Sequence, residues 1–306
     1  MNIRAIAGEL QTIRDLVRWG MSQFNKEGLC FAHGMPNALD EAVYLCLATL
    51  HLPPDLAEDY FDCRLTHSEK RSVLENYRER LSKRIPAAYI TKEAWFAGLN
   101  FYVDPRVLIP RSPIAELIRQ QFSPWIEADR VECILDLCTG SGCIAIACAY
   151  AFEHASIVGS DVSKDALDVA AINRGNHGLE ERLQLIESDL FEHIPARKFD
   201  IIVANPPYVS AQEMAQLDRE FSFEPGGGLA AGEMGMDIVV PLLQQAGSYL
   251  SDHGILVVEV GYSVPALVQL LPEVPFTWLE FVHGGEGVFL LTAKQVHACQ
   301  QLFDAL

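Results

Sequence analysis

Apolar residues recur at helical spacing from the start of the chain, where Ile3, Ile6, Leu10, Ile13 and Val17 mark one face of an amphipathic helix. Two more helices are predicted over Leu39–Leu50 and Ser68–Leu81, with Pro53-Pro54 breaking the chain between them and Ser68-Glu69 starting the last. Residues 1–85 therefore read as a small helical domain; it holds no motif that carries chemistry, and its expected job is to position a partner. Next come short aromatic and β-branched stretches: Ala88-Tyr89-Ile90, Trp95-Phe96 and Phe101-Tyr102-Val103, punctuated by Gly98-Leu99-Asn100. They predict a β-hairpin connector over residues 86–112.

From residue 113 the pattern changes to strands alternating with helices. Strands are predicted at Cys133–Leu137, Ser156–Ser160, Leu183–Ile186, Ile201–Ala204, Ile255–Val260, Thr277–Val282 and Gly287–Leu291. Helices fit at Cys143–Phe152, Lys164–His177, Asp237–Leu250 and Pro265–Leu271. That alternation predicts an α/β domain over 113–306, a Rossmann-like doubly wound sheet of seven strands with helices on both faces. Only His283-Gly284-Gly285-Glu286 joins the last two strands, too little for a crossover helix, so the last strand should run antiparallel.

Composition narrows the classes. The 306 residues are half hydrophobic, enough for two domains with proper cores. No apolar run approaches the roughly 20 residues that cross a bilayer. Glu9, Arg14, Asp15 and Arg18 interrupt the N-terminus where a signal peptide would be apolar. A cytoplasmic protein without membrane partners is expected. Cys133, Cys138, Cys143 and Cys148 are evenly spaced packing positions, and neither a CxxC nor an HExxH pattern occurs, so no metal site is expected. The net charge of −18 is uneven: residues 1–85 carry 11 basic and 12 acidic side chains, residues 86–306 carry 12 and 29. A surface that acidic repels a phosphate backbone and attracts a basic partner, which argues against a nucleic-acid substrate.

Chemistry-bearing residues gather at predicted strand ends, where open α/β sheets bind their ligands. The first of these strands runs into Asp136-Leu137-Cys138-Thr139-Gly140-Ser141-Gly142, whose glycines allow a tight turn before a helix N-terminus. The second ends at Asp161-Val162, a position from which a carboxylate receives ribose hydroxyls; the third ends at Asp189-Leu190. The loop lacks both the GK[ST] ending of a phosphate-gripping loop and the third spaced glycine of a dinucleotide site, so an adenosine-bearing cofactor without phosphates fits best. The fourth strand ends at Asn205-Pro206-Pro207-Tyr208. Its two prolines stiffen the backbone, and the segment presents carbonyl acceptors and an aromatic face to a planar NH2 group, whether a carboxamide or an exocyclic base amine.

Asp136–Gly142, Asp161, Asp189 and Asn205–Tyr208 resemble the motifs of class I S-adenosylmethionine-dependent methyltransferases. The NPPY form after a helical domain and hairpin resembles the protein-glutamine N5-methyltransferases, as do Leu108-Ile109-Pro110-Arg111, Glu224-Pro225 and Leu229-Ala230-Ala231-Gly232-Glu233. The resemblance covers nearly the whole chain. Arg111-Ser112-Pro113-Ile114 departs from the Pro-Asp-Thr-Glu continuation of the release-factor enzymes. With Trp19-Gly20, His33-Gly34 and Asp40-Glu41-Ala42, it resembles the branch acting on ribosomal protein L-three, a basic protein met before or during ribosome assembly. Cys138 stands where many relatives have glycine, which implies a slightly different cofactor contact. The resemblance implies S-adenosylmethionine bound by Asp136, Cys138, Thr139, Gly140, Ser141, Gly142, Asp161, Val162, Asp189, Leu190 and Asn205, with S-adenosylhomocysteine as product. Asn205 and Pro206 would accept the two amide N–H bonds, Tyr208 would pack on the amide plane, and Pro207 and Arg111 would complete the substrate site. The rival readings are a release-factor enzyme, an adenine N6 or guanine N2 methyltransferase, and a non-catalytic adaptor keeping the fold.

Overall fold

The computed structural model describes residues 1–306 except His283, so this part of the predicted link between the last two strands lies outside the described residues. The chain forms two compact units, one of residues 1–94 with 218–223 and one of residues 95–217 with 224–306.

The first unit is helical. The predicted N-terminal helix is in fact two, Ile3–Glu9 and Ile13–Lys26. Thr12 explains the break: its hydroxyl accepts from the Asp15 N–H, and the Asp15 carboxylate accepts from the Thr12 N–H, a reciprocal cap that starts a new helix. Helices Ala38–Thr49 and His67–Lys83 pack with the second of these around buried Leu16, Phe24, Leu45, Leu74 and Tyr77. Ala88-Tyr89-Ile90 is helical as well, within Ala87–Thr91, which Lys92 ends by turning to φ 59°. Segment 218–223 belongs to this unit through Glu220. Its carboxylate Oε1 accepts from the Cys30 N–H at 3.1 Å, Arg80 Nη1 at 3.3 Å and Arg84 Nη1 at 3.2 Å. Arg80 also donates to Glu41 at 2.6 Å, so a fully buried guanidinium is matched by two buried carboxylates.

Strands Glu93–Phe96 (β1) and Leu99–Tyr102 (β2) form a two-stranded sheet. The second unit's main sheet contains β3 (Cys133–Leu137), β4 (Ser156–Asp161), β5 (Leu183–Glu187), β6 (Phe199–Ala204), β7 (Leu250–Glu259), β8 (Thr277–Trp278) and β9 (Val288–Thr292). Their order is β5-β4-β3-β6-β7-β9-β8, parallel from β5 to β7, with β9 antiparallel to both β7 and β8. The sheet is the Rossmann-like arrangement expected from the sequence. Its central strands alternate between two cores: Ile134, Ile201, Val203 and Val257 face one, and Leu135, Leu137, Ile202 and Val258 face the other. Each such buried aliphatic side chain contributes about 1.5–3 kcal/mol. Helix Val239–Ala246 is shorter than predicted because Leu250 already pairs with Phe199 and begins β7.

Strand order reverses between β3 and β6, so the ends Leu137 and Ala204 lie side by side in register and their loops diverge. Buried Asn173 fixes β2 beside this point: its amide accepts from the Tyr102 N–H at 2.7 Å and donates to the Tyr102 and Ser141 carbonyls at 3.0 and 2.8 Å. Among the described residues no helix is long and apolar enough to cross a membrane, and no group of His, Cys, Asp and Glu side chains could hold a metal ion.

Candidate functional site

Beyond the carboxyl ends of β3, β4 and β6 lies a cavity of about 350 Å3 within the second unit. Its lining includes Arg111, Cys138, Thr139, Gly140, Ser141, Asp161, Val162, Asp189, Leu190, Asn205 and Pro207. Four of the sequence-predicted residues stand outside that lining: Asp136, Gly142, Pro206 and Tyr208.

Asp136 lies beneath the glycine loop and is wholly buried. Its Oδ2 accepts from the Thr139 hydroxyl at 2.5 Å and the Ala145 N–H at 3.0 Å, tying the loop to the first turn of helix Cys143–Ala151. Its Oδ1 has no hydrogen-bond partner among the described residues. Burial raises its pKa to about 7, against the opposing effect of those two hydrogen bonds. Gly142 caps the same helix at φ 80°, and a Cβ there would stand 3.2 Å from the Ala170 Cβ, so this position favours glycine both for its backbone and for the space around it. Gly140 borders the cavity, where an added Cβ would meet no atom within 4 Å.

Asp161 closes the loop from the neighbouring strand. Its Oδ2 accepts from the Gly140 N–H at 2.9 Å and its Oδ1 from the Ser163 N–H at 2.9 Å. Burial raises this carboxyl's pKa too, with the backbone hydrogen bonds pulling the other way. Two non-glycine residues on the cavity loops hold left-handed backbone, Cys138 at φ 57° and Leu190 at φ 45°. Such conformations cost about 1–2 kcal/mol each, and strain of this kind collects at functional loops.

Asn205 and Pro207 reach the cavity from β6, whereas Pro206 is buried. Tyr208 turns its hydroxyl away, donating to Glu259 Oε1 at 3.0 Å, and its carbonyl accepts from the Ser263 hydroxyl at 2.7 Å. A second anchoring pair was only partly visible in the sequence. Arg111 makes a two-pronged ion pair with buried Glu224, at 2.6 Å to Oε1 and 2.8 Å to Oε2, and the Ile109 N–H donates to the same Oε1 at 3.0 Å. Glu224-Pro225 stood out by resemblance, but nothing in the sequence pairs its carboxylate with Arg111 across 113 positions. Arg106 is likewise matched by Asp104 at 2.6 Å, so both arginines of the lining have carboxylate partners. Ser160, Ser163, Ala166 and Ile238 also line the cavity; small or apolar residues at element ends carry no signal that would have singled them out.

With this geometry in place, comparison with known proteins is informative. Residues 120–222 match the family described as Methyltransferase small domain. The ribosomal protein uL3 glutamine methyltransferase of Xanthomonas campestris pv. campestris is 49% identical over 295 residues, covering 96% of this chain and 95% of that protein. The enzyme of that name from Xylella fastidiosa is 48% identical over 302 residues, covering 99% and 96%. Among solved structures, a ribosomal protein L11 methylase from Lactobacillus delbrueckii subsp. bulgaricus is similar at 23% identity and a TM-score of 0.39, covering 58% of this chain and 75% of its own.

Proposed function

Because the chain belongs to the ribosomal protein uL3 glutamine methyltransferase family, we propose that it transfers a methyl group from S-adenosylmethionine to the side-chain amide nitrogen of a glutamine in ribosomal protein uL3. The observation that carries this reading is the near-complete match to those enzymes, and the NPPY tetrapeptide beside the cavity supports it.

The cavity's donor set fits the cofactor. Both lining arginines are neutralised by carboxylates, so the walls suit a cationic, hydroxyl-bearing nucleoside better than a phosphate. In this reading Asp161 receives the ribose hydroxyls, and Cys138, Thr139, Gly140 and Ser141 offer loop backbone. Val162, Asp189, Leu190 and Asn205 complete the walls, while Asp136 and Gly142 act by shaping the loop from below. S-adenosylmethionine, when bound, supplies a methyl group on a positively charged sulfur and leaves as S-adenosylhomocysteine.

The protein's task is to make an amide nitrogen attack. That nitrogen's lone pair is delocalised into its carbonyl, so it is a poor nucleophile. Accepting both N–H bonds, through the Asn205 side-chain oxygen and the Pro206 carbonyl, aims the nitrogen and stabilises the positive charge that grows on it. No general base is required before attack, since the extra proton becomes strongly acidic once the C–N bond forms. Pro207 stiffens the segment, Tyr208 orients it, and Arg111, held by Glu224, keeps the opposite wall of the substrate site in place.

The substrate is read as a basic protein segment captured in the cytoplasm before ribosomal RNA covers it, with neither nucleic acid nor membrane as a direct partner. The test is transfer of labelled methyl groups into a lysate of cells lacking the enzyme, followed by mass mapping of the acceptor. A glutamine of uL3 is expected; a methylated release factor or nucleotide would overturn the reading. Asn205→Ala should lower kcat about 10²–10³-fold, the usual cost of losing one aligned hydrogen-bonding group, while cofactor affinity, to which Asn205 contributes one wall contact, falls by much less. A kcat near wild type would remove Asn205 from its role.

A further inference from the structure

We propose that Glu259, at the end of β7, is a positioning residue for methyl transfer: it holds the NPPY tetrapeptide by its last residue. The inference rests on the reading above and adds a residue that the reading does not use. Glu259 is 5% exposed, and its two oxygens bind different segments. Oε1 accepts from the Tyr208 hydroxyl at 3.0 Å and Oε2 from the Ser112 hydroxyl at 2.5 Å. Ser112 Oγ in turn accepts from the Ile114 N–H at 3.2 Å. One buried carboxylate thus ties together the end of β7, the tetrapeptide and the segment following Arg111.

The residues after Glu259 continue the grip. Gly261 has φ 46°, and a Cβ there would come within 2.4 Å of Tyr208 Cε2, so the Tyr208 ring lies directly on this glycine. Ser263 holds the Tyr208 carbonyl. Tyr208 is therefore fixed at ring, hydroxyl and carbonyl by residues 259–263, while Asn205 is fixed at the other end by β6, whose Ala204 pairs with Val258. Between these anchors, the directions of the Asn205 amide and the Pro206 carbonyl are set by how firmly Tyr208 is held. An aim that drifts by about 1 Å costs on the order of 10²-fold in rate. Burying a carboxylate is costly, and here its two hydroxyl partners are the compensation.

Glu259→Leu keeps the bulk and removes both acceptors. It should lower kcat toward uL3 by about 10²-fold, leave S-adenosylmethionine affinity within about threefold, and speed hydrogen exchange at the Val209 and Ala211 amides, which now bond to the Leu229 and Gly232 carbonyls. Glu259→Gln, which keeps one acceptor and offers an amide that a hydroxyl oxygen can accept, should recover at least about tenfold of that loss. Tyr208→Phe should lower kcat by about tenfold or more, and combining it with Glu259→Leu should cost less than the product of the two losses. Where Glu259→Leu does not fold, Tyr208→Phe and Glu259→Gln keep the test open. A kcat within about twofold of wild type in Tyr208→Phe, strictly multiplicative losses, or Gln no better than Leu would overturn the proposal. Should the wild-type protein transfer no methyl to uL3, the functional reading fails instead, and amide exchange still decides whether Glu259 holds the tetrapeptide.

Discussion

Asp136 and Asp161 leave adjacent strands and are both strongly desolvated, yet they face different consequences. Asp161 borders the cavity with both oxygens on backbone N–H groups. Asp161→Ala should weaken S-adenosylmethionine binding about 10–100-fold, since hydrogen bonds to a charged group contribute roughly 1.5–3 kcal/mol; calorimetry giving an unchanged affinity would remove the proposed ribose contact. Asp136 never reaches the cavity, so its signature is in stability. Its folded pKa of about 7 stands above the ordinary 3.8, so the native state keeps a proton that the unfolded chain has already lost. Stability therefore falls as pH rises from about 4 to about 7 and is level above that window. Asp136→Asn keeps an acceptor for Thr139 and Ala145 and removes the titration. Its Tm relative to wild type should rise between about pH 4.5 and pH 7.5, measured by thermal melts, and a parallel pair of curves would contradict the assignment. The acids themselves were legible, since each ends an apolar run. Which one lies under the loop and which beside the cavity was not, because that depends on where the loop folds back.

At the scale of elements, the parallel strands are the most legible, whereas the predicted strand Thr277–Val282 shortens to Thr277–Trp278. Buried parallel strands such as Phe199–Ala204 leave nearly continuous apolar runs. At the N-terminus, local polar chemistry overrides a periodic pattern. Ile3 through Val17 keeps helical spacing across a place where the backbone is not helical, because Thr12 and Asp15 cap each other there. Thr12→Ala removes the side-chain acceptor and should destabilise the helical unit by about 1 kcal/mol, seen as a lower denaturant midpoint for a probe in residues 1–94. Ala88-Tyr89-Ile90 differs for another reason: an aromatic, β-branched triplet is too short to distinguish strand from helix, and it lies within the helix Ala87–Thr91. Long-range pairs were beyond reach altogether. Glu220 on Arg80 and Glu224 on Arg111 join positions 140 and 113 residues apart, and a sequence shows the charges without showing the approach.

For the molecule as a whole, charge separates two contributions to substrate capture that a single affinity would blur. Residues 86–306 carry 29 acidic against 12 basic side chains, and the proposed reading has them meet a basic protein segment, rich in Lys and Arg, before RNA covers it. Attraction between such surfaces acts at a distance and is screened by salt, over a Debye length of about 10 Å at 0.1 M that shrinks to about 3 Å at 1 M. The contacts proposed for the amide itself are short, directed and enclosed, and salt reaches them far less. Raising ionic strength from about 0.05 to 0.5 M should therefore increase KM for intact uL3 by tenfold or more while kcat and S-adenosylmethionine affinity stay within about twofold. A free glutamine-containing peptide without basic residues should show a high KM at every salt concentration. If KM for uL3 is indifferent to salt, the acidic half serves solubility alone, and recognition of the protein has to come from short-range contacts around Asn205 and Tyr208.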